Sequence, residues 1–438
     1  MKEPIIFRRD DCLSQEQAMY WKDLLYRTVK IGTEVEFAMP KGVRKRDFMP
    51  PLVEALQPTK DLTHLGHYGV LDVVSEHCGI EIQVIGRQPY CPALMEQYRA
   101  ILDPLLERGV RARATCGLHY HALTIGLSEP TPEIILANVW NLTRRYAPAL
   151  RFLTSGGDSH EALCRRRNYT SHLEMVRHTP GAHSMREIQQ LLHESKRVPE
   201  HQNFLNLEHV TFTDDDAVRD FHLEFRFPDA DLAPSSIVAK TFLFLAMLLK
   251  AVEMSQYGVI HVGRIREWQR KKELLDMLSN NDGNLATSDT SQVTPEVIDE
   301  LRAGCRELLE LLKPVFVRFA RVGCEGSEEH PAFEVLNLLA ETPLSLLRAS
   351  GRDWREIEQM LSERAAVTSG EWDRSDRRLI RLIELAELTT RTSPEAWKWE
   401  SARELFLTPQ ELERRLERLD GWRGLKWDAD LGTMVFLG

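Results

Sequence analysis

The chain has 438 residues, of which 43% are hydrophobic and 28% are charged, a composition that indicates a folded globular protein and excludes a disordered one. Its formal net charge of -10 argues against a broad nucleic-acid-binding surface, so no nucleic-acid partner is expected. The seven cysteines include no Cys-x-x-Cys pair, which indicates free thiols in a reducing compartment and no structural zinc site.

Two further features favour a cytoplasmic location. The segment from Met1 to Asp11 carries charge early and lacks the apolar stretch of a secretory signal. The most apolar run, Thr241 to Leu249, has nine residues and is too short to cross a bilayer. We therefore expect this run to form a buried helix, and we expect no membrane contact.

In chain order, the first predicted element is a helix that follows Ser14 and ends near Arg27. Ser14 with Gln17 has the spacing of a capping box. Alternating side chains then predict a strand from Ile31 to Phe37, and a basic loop follows from Lys41 to Arg46.

A predicted hairpin comes next. Its strands run from Tyr68 to Val74 and from Gly79 to Ile85, joined by a short turn. A helix is expected from about Pro92 to Arg108, then a strand from Cys116 to Ala122. Thr131 with a following proline predicts the N-terminus of a helix that runs to about Phe152.

The central part of the chain is less regular. Residues 155–203 are polar and rich in histidine and arginine, and we interpret them as an inserted, lid-like segment. A strand is expected within residues 204–212 and another within 221–227. A long apolar helix is predicted from about Pro234 to Tyr257, with a continuation to about Leu278.

One boundary stands out in the sequence. Residues 279–292 are rich in Asn, Asp, Ser, Thr and Gly, which predicts a linker. It separates residues 1–278 from a mostly helical C-terminal region, residues 293–438, which ends in a possible small hairpin.

Charged and imidazole side chains recur on one face of the predicted strands. Successive side chains of a strand point to opposite faces, so residues two apart share a face. The opposite face would be apolar, with Val35, Leu118, Leu223 and Phe225 turned toward a core. The residues expected on the polar face are Glu34, Glu36, Glu81, His119, His121, His222, Glu224 and Arg226.

These residue types are the ligands of a divalent cation and of phosphate. Two carboxylates about 6.6 Å apart on one strand repel each other by about 2.5 kcal/mol at an effective dielectric near 20. A cation between Glu34 and Glu36 would turn this repulsion into attraction. Mg²⁺ and Mn²⁺ take oxygen ligands, and Mn²⁺ also accepts imidazole.

The order of these segments resembles the amidoligase family of carboxylate–amine ligases, which are built like glutamine synthetase and glutamate–cysteine ligase. The resemblance covers about Ile31 to Tyr257 and leaves the C-terminal third uncovered. It is based on the motifs Gly32-Thr33-Glu34-Val35-Glu36-Phe37, Ile80-Glu81-Ile82, Cys116-Gly117-Leu118-His119-Tyr120-His121, the segment around Asn206, and Leu223-Glu224-Phe225-Arg226 before a long apolar helix.

The resemblance implies an α+β fold, with a curved antiparallel sheet and helices on its convex side. It places ATP and two or three Mg²⁺ or Mn²⁺ ions on the concave side, held by residues 1–278. By the same resemblance, Glu36 and Arg226 have catalytic roles, and Arg226, Arg167, Asn168 and Asn206 contact the nucleotide. The implied metal ligands are Glu34, Glu36, Glu81, Glu224 and at least one of His119 and His121.

The implied reaction is ATP-dependent formation of an amide or isopeptide bond through an acyl phosphate. Its substrates would be a small-molecule or peptide carboxylate and an amine, and the C-terminal region could contact a protein partner or a second subunit. Two alternatives stay open. The same carboxylates and histidines could serve a metal-dependent hydrolase, or the chain could be a non-catalytic interaction protein that retains the fold.

Overall fold

A six-stranded antiparallel sheet, with a long helix packed against one face, is the centre of the fold. The computed structural model describes residues 5, 7–8, 12–64, 69–76, 78–86, 91–113, 115–124, 127–156, 184–194, 204–260, 265–278, 294–323, 330–366, 425–428 and 433–436. The predicted linker and most of the predicted lid-like segment lie outside these residues.

The strands within the described residues follow the predicted order. They are β1 (Phe7–Arg8), β2 (Lys30–Phe37), β3 (Gly69–Ser75), β4 (Ile80–Gly86), β5 (Leu118–Leu123), β6 (Leu205–Asn206), β7 (Thr211–Phe212), β8 (Val218–Asp220), β9 (His222–Phe225), β10 (Val259–Ile260), β11 (Leu425–Asp428) and β12 (Thr433–Phe436). Three pairs stand apart from the large sheet: β1 with β10, β7 with β8, and β11 with β12.

Helices connect the strands and make up most of the described C-terminal region. They are α1 (Gln15–Thr28), α2 (Lys45–His64), α3 (Cys91–Glu107), α4 (Glu133–Arg145), α5 (Ala147–Leu153), α6 (Met185–Glu194), α7 (Pro234–Met254), α8 (Ile265–Met277), α9 (Pro295–Gly323), α10 (Pro331–Glu341), α11 (Leu344–Ala349) and α12 (Trp354–Ala366). The fold class is therefore α+β, as the sequence predicts.

The large sheet has the strand order β3-β4-β2-β5-β9-β6, and each neighbouring pair is antiparallel. Strands β2 and β5 lie at its centre. Their register sets Glu34 opposite His119 and Val35 opposite Leu118. Because side chains alternate along each strand, this pairing sorts polar and apolar residues onto opposite faces of the whole sheet.

The apolar face of the sheet packs on α7. The ring of Phe244 lies 4.4 Å from the ring of Phe225 and 4.8 Å from that of Tyr120, measured between centroids. The Tyr120 hydroxyl donates to the carbonyl oxygen of Ile237 at 3.2 Å. The predicted inward residues Val35 and Leu118 are fully buried. Burial of this face drives the sheet and α7 together.

Helix α7 is the core helix of the molecule; it begins at Pro234 as predicted and contains the nine-residue apolar run. Its 21 residues include a window of mean hydropathy 1.7, enough to cross a membrane by length and composition, but 94% of that window is buried inside the protein. Lys240 of α7 is fully buried and pairs with Asp231, with 2.7 Å between Nζ and Oδ2. A buried charge of this kind requires its partner.

The described C-terminal helices pack directly on α7. The ring of Phe319 in α9 lies 5.4 Å from that of Phe242, and the imidazole of His330 lies 4.4 Å from it. Helices on both sides of the predicted linker thus share one core. The division of the chain at residues 279–292 stays a prediction.

Two predicted helices end earlier than expected. The helix expected to run to Phe152 is broken at Tyr146 into α4 and α5, because Pro148 lacks a donor and its ring conflicts with the carbonyl four residues earlier. After α7, Gly258 adopts a φ of 117°, and the chain turns into β10 before α8 begins. The Ser14–Gln17 capping box is present as predicted.

Two other predictions need correction. The expected strand within residues 204–212 contributes only Leu205–Asn206 to the large sheet, because the side chain of Asn206 accepts the backbone N–H of Glu208 at 2.9 Å and turns the chain. The basic loop from Lys41 ends sooner, since α2 begins at Lys45. This helix contains Pro50, Pro51 and Pro58, and it is not predicted from the sequence because proline normally argues against a helix.

Candidate functional site

The predicted polar face exists, and the register of four antiparallel pairings assembles it. Glu36 lies opposite Glu81 across β2 and β4, and Glu34 lies opposite His119 across β2 and β5. His121 in turn lies opposite Glu224. The last pairing sets Asn206 of β6 opposite Glu224. Residues distant in sequence are thereby brought to one surface.

His119 lies at the centre of this surface and is 3% exposed. Its Nδ1 atom is 3.0 Å from Oε2 of Glu34 and 3.4 Å from Oε1 of Glu224, and its Nε2 atom is 3.9 Å from Oε1 of Glu36. One ligand atom each from Glu34, His119 and Glu224 lie within 4.8 Å of one another. This donor set of two carboxylates and an imidazole is suited to a divalent cation.

Glu34 lies between two imidazoles. Its Oε2 atom faces His119, and its Oε1 atom is 3.4 Å from Nε2 of His121. Burial by itself would raise the pKa of Glu34, but the adjacent imidazoles of His119 and His121 hold this pKa well below its usual range. The carboxylate is therefore ionised, in the form that binds a cation.

Glu224 is held from two sides. The side-chain amide of Asn206 donates to its Oε2 atom at 2.9 Å, and the guanidinium of Arg226 donates to its Oε1 atom. Burial alone would raise the pKa of Glu224, but the charges of His119, His121 and Arg226 keep this pKa below the usual value. Arg226 thus lies beside the group of Glu34, His119 and Glu224.

Glu36 is fixed by groups at the ends of the neighbouring strands. Its Oε2 atom accepts the backbone N–H of Gly117 at 2.6 Å and the thiol of Cys78 at 3.5 Å. A hydrogen bond with Cys116, together with burial, raises the pKa of the Cys78 thiol, so the thiol keeps its proton. These contacts leave Oε1 of Glu36 directed toward His119.

Gly79 allows the turn before β4 to approach β2 closely. A Cβ atom at this position would lie 1.9 Å from the carbonyl oxygen of Phe37 and 3.0 Å from Cα of Ala38. Real side chains do not tolerate such contacts, so only glycine lets this turn bring Cys78 against Glu36.

Glu81 completes the acidic part of the surface. Burial and the nearby charge of Glu34 raise its pKa to about 7, although Gln83 donates a hydrogen bond to its Oε1 atom at 2.9 Å. Like charges crowded in a buried site disfavour ionisation. A bound cation would reverse this effect.

The raised pKa of Glu81 predicts how the stability of the metal-free protein depends on pH. The pKa is about 7 in the folded state and 4.5 as the reference value, so the folded state holds this proton more tightly. The contribution of Glu81 to stability is therefore fully present below pH 4.5 and is lost as the pH rises through about 7. After allowance for solvent screening, we expect a loss of ~1–2 kcal/mol.

Urea unfolding of the chelator-treated protein at both ends of this pH range measures the effect. Glu81→Gln keeps the acceptor for Gln83 but has no proton to lose, so this variant should lack that part of the pH dependence. Equal pH dependence in the variant and the natural protein would contradict the assigned cause.

His121 and His222 form a second feature of the site. Nδ1 of His121 is 2.7 Å from Nε2 of His222, and the rings of His222 and His209 are stacked with centroids 5.0 Å apart. Burial, with the nearby His121 and His209, lowers the pKa of His222 to about 4. Burial would also lower the pKa of His121, but the adjacent carboxylate of Glu34 raises this pKa.

The sequence predicted part of this arrangement and missed the rest. His222 has the same strand parity as Glu224 and Arg226, a signal that identifies its face but not its pairing with His121. His209 follows a turn and gives no periodic signal. Arg167 and Asn168 lie outside the described residues. The predicted residues that the fold brings together are Glu34, Glu36, Glu81, His119, His121, Asn206, Glu224 and Arg226; their individual roles stay predictions.

A cavity of about 950 Å³ lies elsewhere, among α5, α8, α9 and α10. Residues that line it include Arg145, Arg270, Glu300 and Glu307. Among the described residues, no predicted site residue lines this cavity. Its walls mix both signs of charge, and several of these charges are paired with each other, as Arg270 is with Glu300. The chemistry described above belongs to the sheet face.

No protein-family model matches the sequence, and no curated protein matches it. Among solved structures, the chain is similar to the crystal structure of the complex between the prokaryotic ubiquitin-like protein Pup and its ligase PafA. The two are 12% identical, the alignment covers 84% of this chain and 71% of that chain, and the TM-score is 0.36. At this identity and score, the similarity does not bear on the activity or the substrates of the protein.

Proposed function

We propose that the protein is an ATP-dependent amide ligase, an enzyme that joins a carboxylate to an amine. The supporting observation is the position of Arg226. Its guanidinium donates to Glu224, and Glu224 also lies 3.4 Å from His119 within the group of possible metal ligands. A cation site that also holds a fixed arginine is suited to transfer of a phosphoryl group.

The chain offers a set of ligands that fits divalent cations. Glu34, His119 and Glu224 would hold one ion, and Glu36, Glu81 and His121 border the same surface. Two or three Mg²⁺ or Mn²⁺ ions would satisfy these ligands. When bound, such ions neutralise phosphate charge and orient the nucleotide. The Nε2 atom of His121, buried without a hydrogen-bond partner, supports the fit.

Several residues would prepare the site for substrates. Asn206 fixes the orientation of Glu224, and Gly117 fixes Glu36. Arg226 donates to Glu224, and because a guanidinium has five N–H groups we also assign it the role of donor to a phosphate oxygen. Asn206, Arg167 and Asn168 are proposed nucleotide contacts.

The proposed reaction has two steps. A carboxylate oxygen of the first substrate attacks the γ-phosphorus of ATP, ADP leaves, and an acyl phosphate forms. The nitrogen of the amine then attacks the acyl carbon, inorganic phosphate leaves, and the nitrogen loses a proton as the amide or isopeptide bond forms. The scheme needs no nucleophile from the protein.

The substrates would be small-molecule or peptide carboxylates and amines. The described C-terminal helices pack on the core helix α7 with one side. We propose that their solvent-facing side contacts a protein partner or a second subunit. We place the reaction in the cytoplasm and assign it to residues 1–278, with residues 155–203 as a lid-like insertion.

The test is to incubate the purified chain with ATP, Mg²⁺ or Mn²⁺, and pools of carboxylic acids and amines. We expect release of ADP and phosphate that depends on both an acid and an amine. Mass spectrometry should then detect a product with the mass of the acid plus the amine minus one water. Cation-dependent hydrolysis without ATP would instead favour a hydrolase built on the same ligands. If neither reaction occurs and no nucleotide binds, the enzyme proposal is wrong.

Arg226→Ala provides a sharper test of the proposal. Loss of one charged donor to the transferring group is expected to lower the rate of phosphate release by ~100- to 1,000-fold. Arg352 is exposed and lies after α11, so Arg352→Ala should leave the rate unchanged and serves as the matched control. An Arg226→Ala variant that keeps the full rate would remove the supporting observation.

A further inference from the structure

The two ring nitrogens of His121 have different environments. Nδ1 lies 2.7 Å from Nε2 of His222, within hydrogen-bond distance. Nε2 is buried, makes no well-formed hydrogen bond, and lies 3.4 Å from Oε1 of Glu34. A buried polar atom gains from a better-placed partner, so this nitrogen is suited to bind a ligand.

The short distance between the two imidazoles constrains where the protons lie. One nitrogen must donate and the other must accept, since two lone pairs 2.7 Å apart repel each other. When Nδ1 of His121 donates to His222, the Nε2 atom of His121 carries a lone pair and faces the carboxylate of Glu34. A cation between this nitrogen and the carboxylate oxygen would turn their repulsion into attraction.

Glu34 can serve two positions at once. Its Oε2 atom is directed to His119, within the group that includes Glu224, whereas its Oε1 atom is directed to His121. The oxygen beside His121 is therefore available to a second cation. The ring of His222 is itself held in place by stacking on the ring of His209.

We propose that His222 is a positioning residue, which fixes His121 so that its Nε2 atom and Oε1 of Glu34 together bind a divalent cation that accepts nitrogen ligands. The inference rests on the proposed cation-binding function and adds a preference to it. Mn²⁺ and Zn²⁺ bind imidazole readily, whereas Ca²⁺ takes oxygen ligands. The position beside His121 thus selects against Ca²⁺.

The experiment uses the full chain, with Mn²⁺ as the probe. Calorimetry measures its affinity, and pulsed electron paramagnetic resonance counts the nitrogen nuclei coupled to the bound ion. His222→Phe keeps a ring but removes the acceptor, so we expect ~10- to 100-fold weaker binding at one position and the loss of one nitrogen coupling. His222→Gln retains an acceptor oxygen and should recover most of the affinity and the coupling.

The control variant is His193→Phe, at an exposed histidine of α6, which should change neither readout. Unchanged affinity and nitrogen count in His222→Phe would overturn the role of His222 while leaving the proposed function intact. Absence of any Mn²⁺ binding by the natural protein would instead overturn both.

A measurement on the natural protein covers the case in which His222→Phe does not fold. In the Mn²⁺-free protein loaded with Zn²⁺, which is diamagnetic, ¹⁵N shifts of labelled histidines report the state of each ring nitrogen. A proton on Nδ1 of His121 and a metal-bound Nε2 are expected. A proton on Nε2 of His121 would overturn the proposal.

Discussion

Replacing Glu34 by glutamine is expected to weaken Mn²⁺ binding by ~100-fold or more, since loss of a residue that only orients a ligand already costs ~10- to 100-fold. Glu34 faces His119 through one oxygen and His121 through the other, so both candidate cation positions lose their shared carboxylate. Binding of ATP in the presence of Mn²⁺ should weaken in parallel, because the nucleotide is held through the cation.

Calorimetric titration with Mn²⁺, and then with ATP in excess Mn²⁺, measures both effects. Glu54→Gln is the matched control, because Glu54 is exposed on α2 and its replacement removes the same charge from the chain. Circular dichroism establishes that each variant is folded. If folded Glu34→Gln binds Mn²⁺ with the affinity of the natural protein, the ligand assignment fails.

The second large effect concerns stability. Lys240→Met is expected to lower the free energy of unfolding by ~3–5 kcal/mol, because it leaves a buried carboxylate without its cation. Lys240 and Asp231 are both fully buried, and Asp231 also accepts the backbone N–H of Ala233 just before α7. The unpaired charge would thus lie at the start of the helix that supports the sheet.

Urea unfolding followed by circular dichroism measures this loss. The double variant Lys240→Met, Asp231→Asn removes both charges and should recover most of the stability. Lys60→Met breaks the more exposed pair with Asp72 and should cost at most ~1 kcal/mol. A loss for Lys240→Met no greater than that for Lys60→Met would show that the buried pair contributes little.

Much of the candidate site could be predicted because strands have a period of two. Glu34 and Glu36, and likewise His119 and His121, share a face whatever the rest of the fold does, and the apolar residues between them face the core. The sequence also signals α7 by its continuous apolar composition. These features depend on local backbone geometry, which is determined mainly by residues close together in the sequence.

Other features depend on pairings between distant segments, which no local pattern contains. Neither the 2.7 Å contact of His121 with His222 nor the contact of Cys78 with Glu36 follows from spacing, because the register between strands produces them. The break between α4 and α5 at Tyr146 depends on one proline, and the three prolines of α2 argue against a helix where one forms.

The register of β2 and β5 links the formation of the core to the formation of the site. If β5 slipped by a single residue, His119 and His121 would turn into the helix layer while Leu118 and Tyr120 turned toward solvent. The register that buries the apolar side chains is therefore the same register that brings the candidate ligands together. Insertion or deletion of one residue inside these strands should therefore disrupt the core and the ligand cluster together.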